Sequence, residues 1–154
     1  MIDLFHKHVL DQIGSSEIFH TKFFSESFTH SLYELFKDHD EWTTKRFAYS
    51  THDVHLEESF PDLFDIIKER FDNSILKVMA DVWALDQEVE TKDIFIVKYS
   101  KDTQTKLKMH VDDSYISGSI KLNNNYEGGI LTFPRQSVTN QETEVGDLLI
   151  WPSQ

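Results

Sequence analysis

The chain has 154 residues, 39% of them hydrophobic, and its 27 acidic and 15 basic side chains give a formal net charge of −12. This length favours one domain over 1–154, which we expect to be helical over 1–85 with a β-core over 86–154. The absence of cysteine excludes disulfides and thiolate metal sites, and the negative charge argues against a nucleic-acid partner. No apolar run is long enough for a membrane span and no signal pattern is present, which predicts a cytoplasmic protein.

Two amphipathic helices are predicted in the first half. Apolar residues recur at three- and four-residue steps from Ser16 to Lys37, and again from Leu63 to Met79. Pro61 suits the first turn of the second helix, where its missing amide costs nothing. Both stripes indicate helices that pack into a core. Between them, "RFAYSTHDVHLEE" predicts a short extended piece.

Short strands are predicted in the second half. The stretch "ETKDIFIVKYS" is typical of a buried strand, and apolar or alternating runs follow at 106–112, 116–122, 130–133 and 147–151. The stretches "NNNYEGG" and "NQETEVGD" between them are rich in turn-forming residues. Helices followed by a meander of short strands predict an α+β fold, a sandwich or jelly roll with helices packed on one sheet.

A candidate metal site lies in the strand predicted at 106–112. Because side chains alternate along a strand, His110 and Asp112 share a polar face, while Met109 and Val111 lie on the opposite, apolar face. An imidazole and a carboxylate two residues apart can reach one cation, and two histidines with one carboxylate form the facial triad of non-haem Fe(II) oxygenases. A solvated strand face without a metal is the alternative interpretation of the pair.

Four segments in the order "YSTHDVHLEE", "IFIVKYS", "MHVDDSYISGSIKLNNNYEGGILTF" and "EVGDLLIWPSQ" carry a family resemblance over about residues 48–154. The chain resembles the 2-oxoglutarate and Fe(II)-dependent dioxygenases, and more closely their procollagen lysyl hydroxylase and prolyl 4-hydroxylase branch. The resemblance implies a double-stranded β-helix, which is a cupin-like jelly roll. It also implies a hydroxylase that acts on an unactivated C–H bond and releases succinate and CO2.

The same resemblance implies roles for single residues. His110 and Asp112 match two iron ligands and are therefore the catalytic and metal-binding candidates. Tyr99 matches a tyrosine that lines the 2-oxoglutarate pocket, and a core aromatic is its alternative interpretation. Ser119 matches a polar pocket residue, and Asn123 matches an asparagine at a strand end. The implied cofactors are Fe(II) and 2-oxoglutarate, with ascorbate as a further candidate.

Two functional residues of the family have no match. The second histidine ligand and the arginine that pairs with 2-oxoglutarate would follow "GDLLIWPSQ", where the chain ends at Gln154. We therefore expect the chain to be C-terminally incomplete, with the last strand missing. No histidine follows His110, and His52 and His55 are interpreted as residues near the rim that do not bind the metal.

Three functions remain open at this stage. The first is a dioxygenase that takes O2 and 2-oxoglutarate and hydroxylates a peptidyl lysine or proline, or a free amino acid. In that case Lys121 and Arg135 are alternative partners for the distal carboxylate of 2-oxoglutarate. The second is an incomplete oxygenase-like barrel that binds a small acid or a peptide without redox chemistry. The third is a structural or metal-storage jelly roll.

Overall fold

A computed structural model describes residues 4–6, 10–43 and 51–153. The fold is mixed α and β with antiparallel sheets, which agrees with the α+β prediction. In chain order the elements are β1 Asp11–Gln12, β2 Phe19–Lys22, α1 Glu26–Lys37, β3 His52–His55, α2 Leu56–Ser59, α3 Pro61–Arg70, a π-helical segment Phe71–Leu76, α4 Lys77–Val82, β4 Phe95–Lys98, β5 Ile116–Ile120, β6 Thr132–Phe133, β7 Val138–Thr139 and β8 Asp147–Pro152.

The chain divides into two compact units. The first unit comprises Met1–His39 and Met109–Gln154, and the second unit comprises Asp40–Lys108. The first contains a four-stranded sheet in the order β1-β2-β8-β5 and the β6-β7 pair, while the second contains the β3-β4 pair. The single domain and the double-stranded β-helix both stay predictions, because neither is tested by this arrangement of strands.

Strand β8 is the centre of the four-stranded sheet. It pairs with β2 through Phe19 opposite Ile150, and with β5 through Ser119 opposite Leu149. Leu148, Leu149 and Ile150 are all buried, which explains why "DLLIWP" is an uninterrupted apolar run apart from its first residue. Leu149 also belongs to a small core cluster with Ile18 and Val138.

Of the helix predicted over 16–37, only the part that forms α1, Glu26–Lys37, is helical. The residues before it form β2, because pairing with β8 supplies their backbone hydrogen bonds and overrides the helical pattern. The helix begins where the Ser25 hydroxyl accepts a hydrogen bond from the Phe28 amide at 3.2 Å, which satisfies one of the open amides of the first turn. The buried side chains of α1 are Phe28, Thr29, Leu32 and Phe36.

The second predicted helix is confirmed and runs through α3, the π-helical segment and α4, with Pro61 in the first turn. Its apolar stripe consists of Leu63, Ile67, Phe71, Ile75 and Met79. A step of four residues passes a full α-helical turn by about 40°, so a strictly α-helical stripe would wind away from the core. The wider π-helical turns take up part of that excess, and Ile67, Ile75 and Met79 are all buried. No helix within the described ranges is both long and apolar enough to cross a membrane.

Most predicted strands are confirmed as β3, β4, β5, β6 and β8, although residues 46–50 of the extended piece lie outside the described residues. The strand predicted at 106–112 is wrong, since these residues form no strand. The side chains of Met109 and Val111, predicted on a buried face, are 83% and 63% exposed. Alternation alone does not produce a strand, because a strand also needs a neighbour to receive its hydrogen bonds.

Within the second unit, a partly buried ion pair between α3 and the π-helical segment holds the loop that follows α4. The Lys68 ammonium lies 2.8 Å from Asp72 and 3.1 Å from Glu90, and Asp72 also accepts hydrogen bonds from the amide and hydroxyl of Thr91. Burial by itself would raise the pKa of the Asp72 carboxyl. The hydrogen bonds from Lys68 and Thr91 outweigh that effect and hold the pKa below its usual range.

This arrangement predicts an acid-labile contribution to stability. A carboxyl whose folded pKa is lowered stabilises the fold fully above its unfolded pKa, and the contribution disappears as the pH falls through the folded pKa, below about pH 4. We expect Asp72→Asn to lower the free energy of unfolding by about 1–3 kcal/mol at neutral pH and to make it less sensitive to acid. Urea unfolding at several pH values measures both effects. The exposed Asp65 of α3 supplies the control, Asp65→Asn, and an equal loss in both variants would contradict the prediction.

Candidate metal centre

His110 and Asp112 lie in the first unit, on the segment that leads into β5. Their side chains converge, with the imidazole Nε2 3.1 Å from the carboxylate Oδ1, and they are 22% and 37% exposed. Convergence was predicted from strand alternation, and it is found although the strand itself is absent. Both groups are therefore shielded by the protein but still reachable from solvent.

The donor atoms fit two positions on one octahedral cation. Nitrogen and oxygen ligands at about 2.1 Å from a metal, placed at right angles, lie about 3.0 Å from each other. The observed separation matches that value and equally matches a direct hydrogen bond between the two side chains, and imidazole with carboxylate suits Fe(II). In 4–6, 10–43 and 51–153, however, no three metal-binding side chains come together. At this place the described residues therefore bring together two possible metal-binding side chains, His110 and Asp112.

A cluster of serine hydroxyls fastens the segment that follows the pair. The Oγ of Ser153, just after β8, lies 2.8 Å from the Oγ of Ser114 and 2.6 Å from that of Ser117, and Ser114 and Ser117 are 3.0 Å apart. The Ser153 amide also donates to the Tyr115 carbonyl at 3.0 Å. The segment from Ser114 to Ser117, which begins two residues after Asp112, is therefore tied to the end of β8. This cluster is not predictable from the sequence, because only the register of β5 against β8 brings Ser153 to the other two serines.

The three residues proposed to bind 2-oxoglutarate lie on separate segments of the chain. Tyr99 follows β4 and belongs to the second unit. Ser119 lies on β5 opposite Leu149, with an exposed side chain. The Asn123 amide donates to the Asn125 side chain at 2.6 Å, inside the turn after β5.

The two histidines of the rim segment lie on β3, in the second unit. His55 Nδ1 lies 3.0 Å from Asp93, and its Nε2 lies 3.7 Å from the buried carboxylate of Asp53, which also accepts a hydrogen bond from Thr51. The two carboxylates face different ring nitrogens, so they cannot share one metal ion with His55. His55 thus contacts two carboxylates within the second unit, and its interpretation as a residue that does not bind the metal stays a prediction.

Lys121 and Arg135, the two alternative partners for the distal carboxylate of 2-oxoglutarate, differ in their surroundings. The Lys121 ammonium donates to the carbonyls of Asn140 and Thr143 at 3.2 and 3.0 Å, so it holds the turn before β8. Arg135 is exposed between β6 and β7. The role of Lys121 in the turn argues against its use as the partner of a bound acid.

The chain is distantly similar to one characterised class of enzyme. No family model matches it. A curated protein of Caenorhabditis elegans, "Multifunctional procollagen lysine hydroxylase and glycosyltransferase", is 26% identical over 160 residues, which cover 95% of this chain and 22% of that protein. The chain thus spans about a fifth of the length of this relative. The similarity indicates a distant relation to the procollagen lysine hydroxylase branch and gives weak support for a hydroxylase-like function.

Proposed function

We propose that the protein is an Fe(II)- and 2-oxoglutarate-dependent dioxygenase that hydroxylates an unactivated C–H bond of a peptidyl lysine or proline, or of a free amino acid. The observation that carries this proposal is the 3.1 Å separation of the His110 and Asp112 donor atoms, on the segment that the resemblance identifies as metal-binding. The similarity to a lysine hydroxylase supports the same class of reaction.

In this proposal the chain positions the reactants, and the cofactors supply the chemistry. His110 and Asp112 would hold the iron, and iron with 2-oxoglutarate and O2 would supply the oxidation that ends in a hydroxylated product, succinate and CO2. The serine cluster at Ser153 keeps the metal-binding segment in place. From the resemblance, Tyr99, Ser119 and Asn123 are proposed to bind 2-oxoglutarate, with ascorbate as a further candidate that keeps the iron reduced.

Two measurements test this function. Fe(II) and 2-oxoglutarate added without oxygen are expected to give the weak visible absorption band of a 2-oxoglutarate–iron chelate. With oxygen admitted, 2-oxoglutarate consumption is expected to yield an equal amount of succinate, and a panel of lysine- and proline-containing peptides and free amino acids would identify the substrate by mass. Absence of both the absorption band and succinate would contradict the proposal that the protein is a dioxygenase.

The second candidate function is a binding module for a small acid or a peptide. The observation that favours it is that the described residues bring together only two metal-binding side chains. A binding module would bind 2-oxoglutarate or a related acid in calorimetry with or without iron, and it would release no succinate. The same two measurements therefore separate the candidates.

A further inference from the structure

Strand β5 lies at one edge of the four-stranded sheet in the first unit. The sheet has the order β1-β2-β8-β5, so within the described residues β5 pairs with β8 on one side and with no strand on the other. Gly118 and Ser119, in the middle of this strand, are exposed. An edge strand presents backbone amides and carbonyls to which a further strand can hydrogen-bond. The outer side of β5 is therefore able to accept one more strand.

The pairing with β8 indicates which residues of β5 face this edge. The Tyr115 carbonyl accepts a hydrogen bond at 3.0 Å from the amide of the residue after β8, so Tyr115 faces β8. The direction alternates along an antiparallel strand, which turns the amides and carbonyls of Ile116, Gly118 and Ile120 toward the open edge. Pro152 lies opposite Ile116, and its lack of an amide agrees with this assignment. Three residues thus offer an amide and a carbonyl each to a further strand.

The edge of β5 lacks the features with which proteins usually block strand pairing. Charged side chains, proline and bulges are the common means. The strand "ISGSI" has no charged residue and no proline, and its register against β8 is continuous. The opposite edge of the sheet differs, because β1 is two residues long and contains Asp11. Of the two edges, β5 is therefore the one that favours pairing.

The sequence of β5 reads the same in both directions. Antiparallel pairing of two copies about Gly118 would place Ile116 opposite Ile120, Ser117 opposite Ser119, and Gly118 opposite Gly118. Aliphatic pairs and serine pairs that lie directly opposite each other stabilise a pair of strands. The same register joins the edge-facing amides and carbonyls of the two copies through about six hydrogen bonds. A second copy of the chain thus complements this edge in both its backbone and its side chains.

We propose that β5 is a dimerisation edge, at which two copies of the chain pair antiparallel about Gly118 and join their four-stranded sheets into one continuous sheet. This interaction goes beyond the enzyme function proposed above, and it requires neither metal nor 2-oxoglutarate.

The dimer is expected to be weak. A strand of five residues makes a small interface, and the formal net charge of −12 on each copy opposes association. We expect a dissociation constant on the order of 100 µM, which decreases as salt screens the repulsion. Sedimentation velocity over a range of protein concentrations measures it, as a mass that rises from 18.1 kDa toward twice that value. A mass that stays at 18.1 kDa at all concentrations and salt levels would overturn the proposal.

A charge introduced into the edge tests where the copies meet. Ser119→Lys would place two ammonium groups near each other across the dimer and is expected to raise the dissociation constant at least roughly tenfold. Thr132→Lys is the matched control, because Thr132 is an exposed residue of β6 in the same unit and the change of net charge is the same. The control is expected to dimerise at least as tightly as the native protein, since it lowers the net negative charge. Equal dissociation constants for the two variants, with native circular dichroism in both, would overturn the edge as the interface.

Crosslinking tests the register and does not depend on the lysine variants. The chain contains no cysteine, so an introduced thiol reports on a single position. In the proposed dimer Ser117 lies opposite Ser119 of the second copy, with Cα atoms about 4.5 Å apart, which is within reach of a disulfide. Two copies of Ser117, or two of Ser119, lie diagonally at about 7–8 Å, which is too far.

A mixture of Ser117→Cys and Ser119→Cys with oxidised glutathione is therefore expected to form linked dimers at least roughly tenfold faster than either variant alone. Faster linkage of the single variants would indicate parallel pairing and overturn the register. If another segment of the chain or a foreign peptide occupies the edge instead, no sample gives linked dimers, and the proposal fails. None of these samples contains iron or 2-oxoglutarate, so failure here leaves the proposed enzyme function untouched.

Discussion

His110→Ala and Asp112→Ala are each expected to lower the affinity for Fe(II) by roughly 100-fold or more. The expectation follows from the small number of ligands, because the described residues bring only these two side chains to the site. Removing one leaves a single protein donor, which cannot compete with water for the ion. Anaerobic equilibrium dialysis with Fe(II) measures the loss directly.

A thermal measurement checks the same result independently. A metal that binds only the folded protein raises the free energy of unfolding, by about 2.7 kcal/mol when its concentration is 100 times the dissociation constant. This rise is expected in the native protein and absent in both variants. Asp113→Ala is the matched control, since Asp113 is an exposed carboxylate next to Asp112. Iron retained at full stoichiometry in His110→Ala would refute the metal site.

Gly146→Ala is expected to lower the free energy of unfolding by roughly 2–5 kcal/mol, the largest stability effect that we predict for a single methyl group. Gly146 has φ +88°, a region that L side chains rarely adopt. An added Cβ would lie 2.7 Å from the Thr29 hydroxyl and 3.0 Å from the Phe24 carbonyl, which is closer than van der Waals contact. The backbone strain and the collision therefore both lower the free energy of unfolding.

The collision would also disturb three backbone hydrogen bonds at this position. The Gly146 carbonyl accepts from the amides of Phe23 and Phe24, and its amide donates to the Lys121 carbonyl at 2.8 Å. Gly128→Ala separates the two causes, because Gly128 has φ +79° but no atom within 4 Å of an added Cβ. Urea unfolding should show a loss of about 1–2 kcal/mol for Gly128→Ala. Equal losses in both variants would mean that the close approach of Thr29 contributes nothing.

The candidate site could be predicted from the sequence only in part. The convergence of His110 and Asp112 was predicted from strand alternation, and their donor atoms do lie 3.1 Å from each other although the residues form no strand. The roles of Tyr99, Ser119 and Asn123 depend on contacts between distant segments. Spacing along the chain contains no information on those contacts, and the roles of these three residues stay proposals.

Local patterns by themselves determined the helix from α3 to α4, the N-terminal turn at Pro61 and most of the strands. An element that buries one face has apolar residues spaced at its own structural period, and this spacing is visible in the sequence. Tertiary structure decided the remainder. Residues 19–22 became β2 rather than helix because β8 offers them hydrogen-bond partners, whereas 106–112 has the alternation of a strand and forms none. The serine cluster around Ser153 likewise exists only through the register of β5 against β8. In each case a strand or a contact depends on a partner far away in the chain. The spacing of apolar residues indicates which side chains will be buried, but it does not identify the segment that they pack against.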